Sequence, residues 1–414
     1  MGDLTTLAWP DGGAGPHAKK MKLAPQLVLG GVVLSSVCGI AAAQSNLTVY
    51  GIADAALTHL DHRAGGATTY MRSGPKDGSR LGFKGSEDLG DGRRVLFVLE
   101  AGYNLDDGSN GQANALFNRA AWVGLSDQRL GTLSVGRQYA PYFEYLTPLG
   151  PLPVVTGAAG DHPGDIDGFD ITIRNSNSVK YTSPNMGGVT VGALVSAGEQ
   201  ADVNGTDARN MGGSYSVAAK YDNGGWHYAL GWQLLKNGPN QTSWDPTSSA
   251  SFSKSPLNAG YLSARDVQYI AAGMRYQRSA LSLGGSLSNV QYRPNAQSLF
   301  DDIAIFNTAA LLVGWHDASP WQFGAGLTYT RANRANGITN AANYRQFALQ
   351  QAYWLSRRTV VYLLESTQKA RGQTLGAGGA GPIDAYAAIG VSQSGLVADS
   401  RKQNMITLGL RHAF

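Results

Sequence analysis

The sequence predicts an all-β chain, a 16-stranded antiparallel transmembrane β-barrel with short turns on one rim and long loops on the other. Three observations carry that prediction: a final segment with strict two-residue alternation, a regular series of tight turn signals between strand-length segments, and no apolar run of about 18 residues after the first forty positions.

The final segment is the clearest strand. Counting back from Phe414 in steps of two gives His412, Leu410, Leu408 and Ile406, while Ala413, Arg411, Gly409, Thr407 and Met405 form the other side. A period of two is that of a pleated strand with one greasy and one wetter face. A closed barrel accounts for such a strand at the end of a chain, because its last strand pairs with its first and leaves no open edge.

At the other end, Lys19, Lys20 and Lys22 precede an apolar run from Leu23 to Ile40, and Ala41, Ala42 and Ala43 follow. A basic stretch, an apolar stretch and a small-residue site make a secretory signal peptide, cleaved after Ala43. The expected organisation is therefore an upstream extension over 1–20 with Met21 as the start, a signal peptide over 21–43 and a barrel domain over 44–414. Cys38, the one cysteine of the chain, would leave with the signal; Val37 before it is too bulky for lipoprotein processing. The net charge of +4 falls to +3 once Lys19, Lys20, Lys22, Asp3 and Asp11 are removed, which gives no argument for a nucleic-acid partner.

Seven tight turn signals punctuate the rest: Asp88 to Gly92, Asp127 to Gly131, Pro184 to Gly188, Asp222 to Gly225, Gln277 to Ser279, Asp317 to Pro320 and Ser356 to Arg358. Each joins two alternating segments, and the first and last segments bring the count to sixteen, an even number as such barrels require. The longer polar stretches fall near 61–78, 106–115, 140–174, 199–209, 238–264, 294–304, 333–342 and 370–401. Between them, Trp321, Phe323, Ala325, Leu327 and Tyr329 share one face and Gln322, Gly324, Gly326 and Thr328 the other. In lipid the apolar face points outward. Trp226, Tyr276, Trp315, Trp321, Phe323, Trp354 and Phe414 gather near the turns and are expected to form an interfacial girdle.

Several motifs together resemble the general diffusion porins of Gram-negative outer membranes, closest to the beta-proteobacterial and neisserial type. They are Thr48 to Asp54, Arg80 to Gly90, Arg119 to Leu125, Gly131 to Tyr139, Arg174 to Asn177, Tyr353 to Thr359 and Leu408 to Phe414. The resemblance implies periplasmic turns, extracellular loops, a third loop folded into the lumen and a homotrimer in the cell outer membrane. It also implies a water-filled channel for passive diffusion of ions and small hydrophilic solutes, with no cofactor. Outer-membrane lipid, lipopolysaccharide and the barrel assembly machinery are its expected partners. Ile406, Leu408, Leu410, His412 and Phe414 match the assembly signal of such barrels.

By the same resemblance, Arg80, Arg137 and Arg174 stand where a basic cluster lines the constriction. Glu144, Asp161, Asp165, Asp167 and Asp170 of the third loop are candidates for a facing acidic cluster. Alternation adds Tyr50, Asp54 and Lys84 to the lumen face, with Lys180 and Glu100 as further lumen candidates. Arginines on a rigid wall opposite loop carboxylates impose a transverse field that favours polar solutes, and the balance of these groups predicts a weak anion preference. An outer-membrane barrel acting as an enzyme, adhesin or receptor is the alternative. Of the mature histidines only His59 and His62 are close in sequence, no nucleophile motif is visible, and no metal site is expected. His227, His316 and His412, beside turns or the terminus, read as interfacial.

Overall fold

A computed structural model describes residues 46–112, 115–170, 173–197, 213–237, 255–394, 396 and 398–414. The upstream extension, the signal peptide and Cys38 lie outside these residues, as do the stretch 199–209 and much of 238–264.

Sixteen antiparallel strands form the wall: β1 (Asn46–Leu60), β2 (Arg80–Gly90), β3 (Arg93–Gly102), β4 (Ala120–Asp127), β5 (Gly131–Gln138), β6 (Asn175–Thr182), β7 (Val189–Ser196), β8 (Ser214–Asn223), β9 (Trp226–Lys236), β10 (Asp266–Arg278), β11 (Leu281–Arg293), β12 (Ala304–His316), β13 (Trp321–Ala332), β14 (Asn343–Trp354), β15 (Thr359–Arg371) and β16 (Lys402–Ala413). Each pairs with its sequence neighbour, and β16 closes on β1 from Ile52↔Ala413 to Leu60↔Met405. All seven expected turns join the strand pairs they were read to join. Closure leaves no unpaired edge, the condition for a sheet in hydrocarbon. No helix among the described residues is long and apolar enough to cross a membrane.

Facing follows the alternation. Leu57, Leu311, Leu327, Ile406, Leu408 and Leu410 are exposed on the outside, whereas Asp54, Thr58, Thr308, Thr328, Thr330 and Thr407 on the same strands are buried within. Trp226, Trp315, Trp321, Phe323 and Phe414 are exposed near the turns as a girdle requires, and Tyr276 packs on Trp226. Trp354 departs from the expectation. It shares its face with Ala352 and Gln350, donates its indole N–H to Gln322 and stacks on His316, so it lines the lumen mouth, and Tyr353 takes the outward place. His316 accordingly faces inward, and so does His227, which pairs with Asp222.

Two features shape the lumen. The stretch expected as a first loop holds a short strand, Thr68–Ser73, paired with the upper half of β1 while β2 pairs with its lower half. Residues 74–79 between them leave the wall and enter the barrel. In addition, the inward face of β10–β14 is not uniformly polar. Tyr269, Tyr292, Phe306 and Tyr344 pack with Tyr142 and Phe169 of the third loop and with Leu257, Tyr261, Ile338 and Ala388 of later loops in one apolar cluster. That side of the barrel is filled, and the passage is displaced toward β1–β6.

Candidate pore constriction

The third loop leaves β5 through a short helix, α1 (Pro141–Leu146), and crosses the lumen to the far wall. Proline at the helix start fixes φ and gives up an N–H that the first turn could not have used. The wall then satisfies the loop's carbonyls one by one. Arg275 donates to the Pro148 carbonyl at 3.2 Å, Gln350 to Val154 at 2.7 Å, Gln346 to Gly160 at 2.9 Å and Thr328 to Asp161 at 3.2 Å. A non-repetitive segment can lie at membrane depth only with such partners.

The loop acids are used inside this structure. Asp161 is fully buried and accepts the Leu152 N–H at 2.7 Å. Asp170 accepts the Asp161 N–H and gives its own N–H to Asp165 at 2.9 Å. Asp167 binds the fully buried His162 and takes a hydrogen bond from Ser288 on β11. Burial raises Asp161 to about 8, against the pull of His162. Burial alone would depress His162, but Asp167 and Asp161 outweigh it and hold the imidazole at about 9. Glu144 pairs with Lys180 at 2.7 Å and clamps α1 to β6; burial lifts its carboxyl despite that cation. The expected acidic cluster opposite the arginines is therefore corrected. Asp161, Asp165 and Asp167 are turned into the loop, Glu144 is turned to the wall, and Asp170 alone of the five borders the opening.

That opening is a cavity of about 360 Å³ between the third loop and the wall, bounded by Arg80, Arg119, Arg174, Lys76, Asp77 and Asp170. Arg80 donates to the Gly78 carbonyl at 2.9 Å, and Arg174 to the Tyr139 hydroxyl at 3.3 Å while lying over that ring. The hydrogen-bond partners of both arginines are neutral, and the nearby Glu100 and Asp77 offset part of the charge of Arg80. Arg119 is fixed by Glu100 at 2.6 Å, and Glu100 also accepts from Tyr50 at 2.9 Å. Tyr50, Glu100 and Asp54 thus lie on the lumen side, and Lys84 stands over the Tyr50 ring closer to the turn end of β2.

Arg137 is the second correction. It shares its side of β5 with the exposed Leu133 and Val135, pairs with Ala121, and is held by the Asn118 carbonyl, Ser176 and Gln112 on the outer face. The alternation in residues 131–138 already carried that signal. Arg119, which takes its place at the opening, precedes β4 and cannot be assigned by alternation; only its contact with Glu100 turns it inward.

The inserted residues 74–79 supply the remaining cation. Asp54 accepts the N–H groups of Lys76 and Asp77, each at 2.7 Å, and the Tyr362 hydroxyl at 2.7 Å. Ser79 bonds the Asp54 backbone at both groups, and Asp77 is paired with Arg411 at 2.9 Å. Among the described residues no three His, Cys, Asp or Glu side chains are grouped to hold a metal. His59 contacts Thr69 and His62 pairs with Asp61, so the two histidines do not converge.

A family profile described as Gram-negative porin matches residues 30–373. The chain is 28% identical over 391 residues to outer membrane porin protein 32 of Delftia acidovorans, covering 91% of this chain and 96% of that one. It is 28% identical over 274 residues to an outer membrane porin protein of Bordetella pertussis, covering 61% and 69%. Among solved structures, an anion-selective porin from Comamonas acidovorans shares the fold with a TM-score of 0.69 at 23% identity, over 90% of this chain and all of that one. An outer membrane protein of Vibrio cholerae solved in trimer form gives a TM-score of 0.60 at 15% identity, over 89% and 99%.

Proposed function

This chain belongs to the Gram-negative porin family and forms an outer-membrane channel for passive diffusion, and on that premise we propose that the channel favours small anions. One observation carries the reading: Arg80, Arg119, Arg174 and Lys76 border one opening, while four of the five loop acids face away from it. Of the two carboxylates that remain at the rim, Asp77 is paired with Arg411. In a narrow passage between low-dielectric walls, such an excess concentrates the counter-ion and repels the co-ion. The anion-selective Comamonas porin shares this fold, which supports the same reading.

The cationic wall and Asp170, the one third-loop acid at the rim, act on a solute together. Swelling of liposomes containing the purified protein tests this. Among solutes of equal size, the rate should rank anion over neutral over cation; a reversed ranking would exclude the proposal.

We further propose that the mature chain begins at Gln44, acts as a channel rather than an enzyme, and is a homotrimer. The wall is lowest at β4–β7, with eight residues per strand against the roughly 9–11 that span a bilayer. Arg137 sits on the outer face of that low side, where protein is a better neighbour than lipid. A heat-labile band at three times the monomer mass on denaturing gels is the expected result; a monomer before heating would exclude the trimer. The outward-facing Ile406, Leu408, Leu410 and Phe414 are free for recognition by the barrel assembly machinery.

A further inference from the structure

We infer that the lumen holds a second anion site, on the turn side of the third loop, where Lys220 and Arg275 receive a small oxyanion such as phosphate or a short carboxylate. A cavity of about 230 Å³ lies between α1, the start of the third loop and β8–β10. Lys220 and Asp222 of β8, His227 of β9 and Arg275 of β10 line it, together with Glu144 and Pro148 of the loop. The register sets His227 directly between Asp222 on one strand and Arg275 on the other, each neighbour about 5 Å away. Lys220 lies two residues from Asp222 and so shares its face, and its ammonium stands over the Tyr145 ring of α1 at 5.7 Å.

Arg275 is the cation that the fold leaves over. Its Nε donates to the Ser282 hydroxyl at 2.6 Å and its Nη1 to the Pro148 carbonyl at 3.2 Å. Both partners are neutral, and Nη2 has no partner among the described residues. The acids around it are engaged elsewhere. Glu144 pairs with Lys180 at 2.7 Å, and Asp222 is shared by Lys220 and His227, each at 2.8 Å. Lys220 and Arg275 therefore face a single carboxylate. The Nδ1 of His227 donates to Asp222, so the neutral ring presents an unprotonated Nε2 and adds no donor. A guanidinium fork pairs best with an anion that offers it two oxygens, which an oxyanion does and a halide does not. The volume sets the size: about 230 Å³ is less than the roughly 300–1,000 Å³ of sites for drug-sized ligands and suits a small ion with its water.

Pro148 places this cavity next to the opening. It borders both, and its carbonyl is the acceptor that Arg275 holds. An anion leaving the opening on the turn side meets Arg275 across the edge of the loop. Two adjacent sites let an incoming ion displace the one ahead, which keeps a channel that binds its solute conducting. That role in conduction rests on the anion preference proposed for the opening; the site itself stands on its own cavity and charges.

Binding is read by the broadening of the phosphorus-31 resonance of inorganic phosphate added to the purified mature protein in detergent. The variant Arg80→Gln/Arg119→Gln/Arg174→Gln, stripped of the cations at the opening, should still broaden the signal. Adding Lys220→Gln/Arg275→Gln to it should reduce the excess broadening at least fivefold. Adding Asp222→Asn instead, which removes the competing carboxylate, should tighten phosphate binding at least threefold, a gain that a misfolded barrel would not give. With the opening intact, the phosphate current of Lys220→Gln/Arg275→Gln should saturate at a concentration at least threefold above that of wild type. No broadening by the first variant, broadening that survives the loss of Lys220 and Arg275, or an unchanged saturation would overturn the inference. The binding results read this site whatever the ion preference of the opening, so a cation-selective wild type would remove that reading and not this one.

Discussion

Lys76 donates a 2.9 Å hydrogen bond to Gln350, 274 positions away on the inner face of β14. Gln350 in turn donates to the Val154 carbonyl of the third loop at 2.7 Å. One amide therefore joins the inserted residues 74–79 to the third loop, and the two close the lumen together. Gln350→Ala should free both and raise the current noise of the open channel, with little change in the unfolding midpoint. Unchanged noise would show that the two segments are held independently.

Asp54 is the anchor of the insertion. Its carboxylate holds two backbone N–H groups and the Tyr362 hydroxyl, and hydrogen bonds to a charged group contribute about 1.5–3 kcal/mol each. Asp54→Ala should cost at least about 4 kcal/mol in urea unfolding and raise single-channel conductance as residues 74–79 withdraw. Wild-type conductance in a folded variant would mean that the insertion does not bound the passage.

The third loop should loosen as pH rises. His162 is shifted from 6.5 up to about 9, so the folded state holds its proton more tightly and its contribution is complete below about 6.5 and lost through about 9. Asp161, raised from 3.8 to about 8, has the same sign, since the folded state again binds more protons over that window. Hydrogen exchange of the loop amides should accelerate between pH 6.5 and 9 beyond the intrinsic base-catalysed rise. His162→Gln should flatten that excess. A loop that becomes better protected with rising pH would contradict the ion pair with Asp167.

Leu327 tests the facing. It is exposed on the outer wall opposite Leu311, and Leu327→Arg at mid-membrane should cost roughly 2–4 kcal/mol. Thr328→Arg, one residue on and facing the lumen, should insert but displace the third loop from the Asp161 carbonyl. Equal refolding yields for wild type and Leu327→Arg would show that the faces are reversed.

What could be read from the chain was local. The hairpin at Asp222–Gly225 is marked by Asn223 and two glycines, Gly224 and Gly225, with positive φ, a conformation that favours glycine. The alternation from Trp321 to Tyr329 fixes facing because a one-residue slip would reverse every side chain. The lining of the opening was legible only where a motif sat on the wall, as with Arg80 and Arg174. The orientation of Asp161 and Asp167 depends on Thr328 and Ser288, more than 100 positions away, and no local pattern encodes it. The insertion at 74–79 was hidden for the same reason: its anchor, Asp54, is a charged residue on an inward face, and the strand pattern says only that it points into the lumen.

The charge of the opening is decided most directly by the reversal potential of the mature protein in a planar bilayer under a salt gradient. Wild type should insert in steps and reverse at a potential of the sign that marks anion preference. The variant Arg80→Gln/Arg119→Gln/Arg174→Gln should insert equally well and shift toward cation preference. A cation-selective wild type, or a triple variant with unchanged selectivity, would contradict the assignment of the passage to these three arginines.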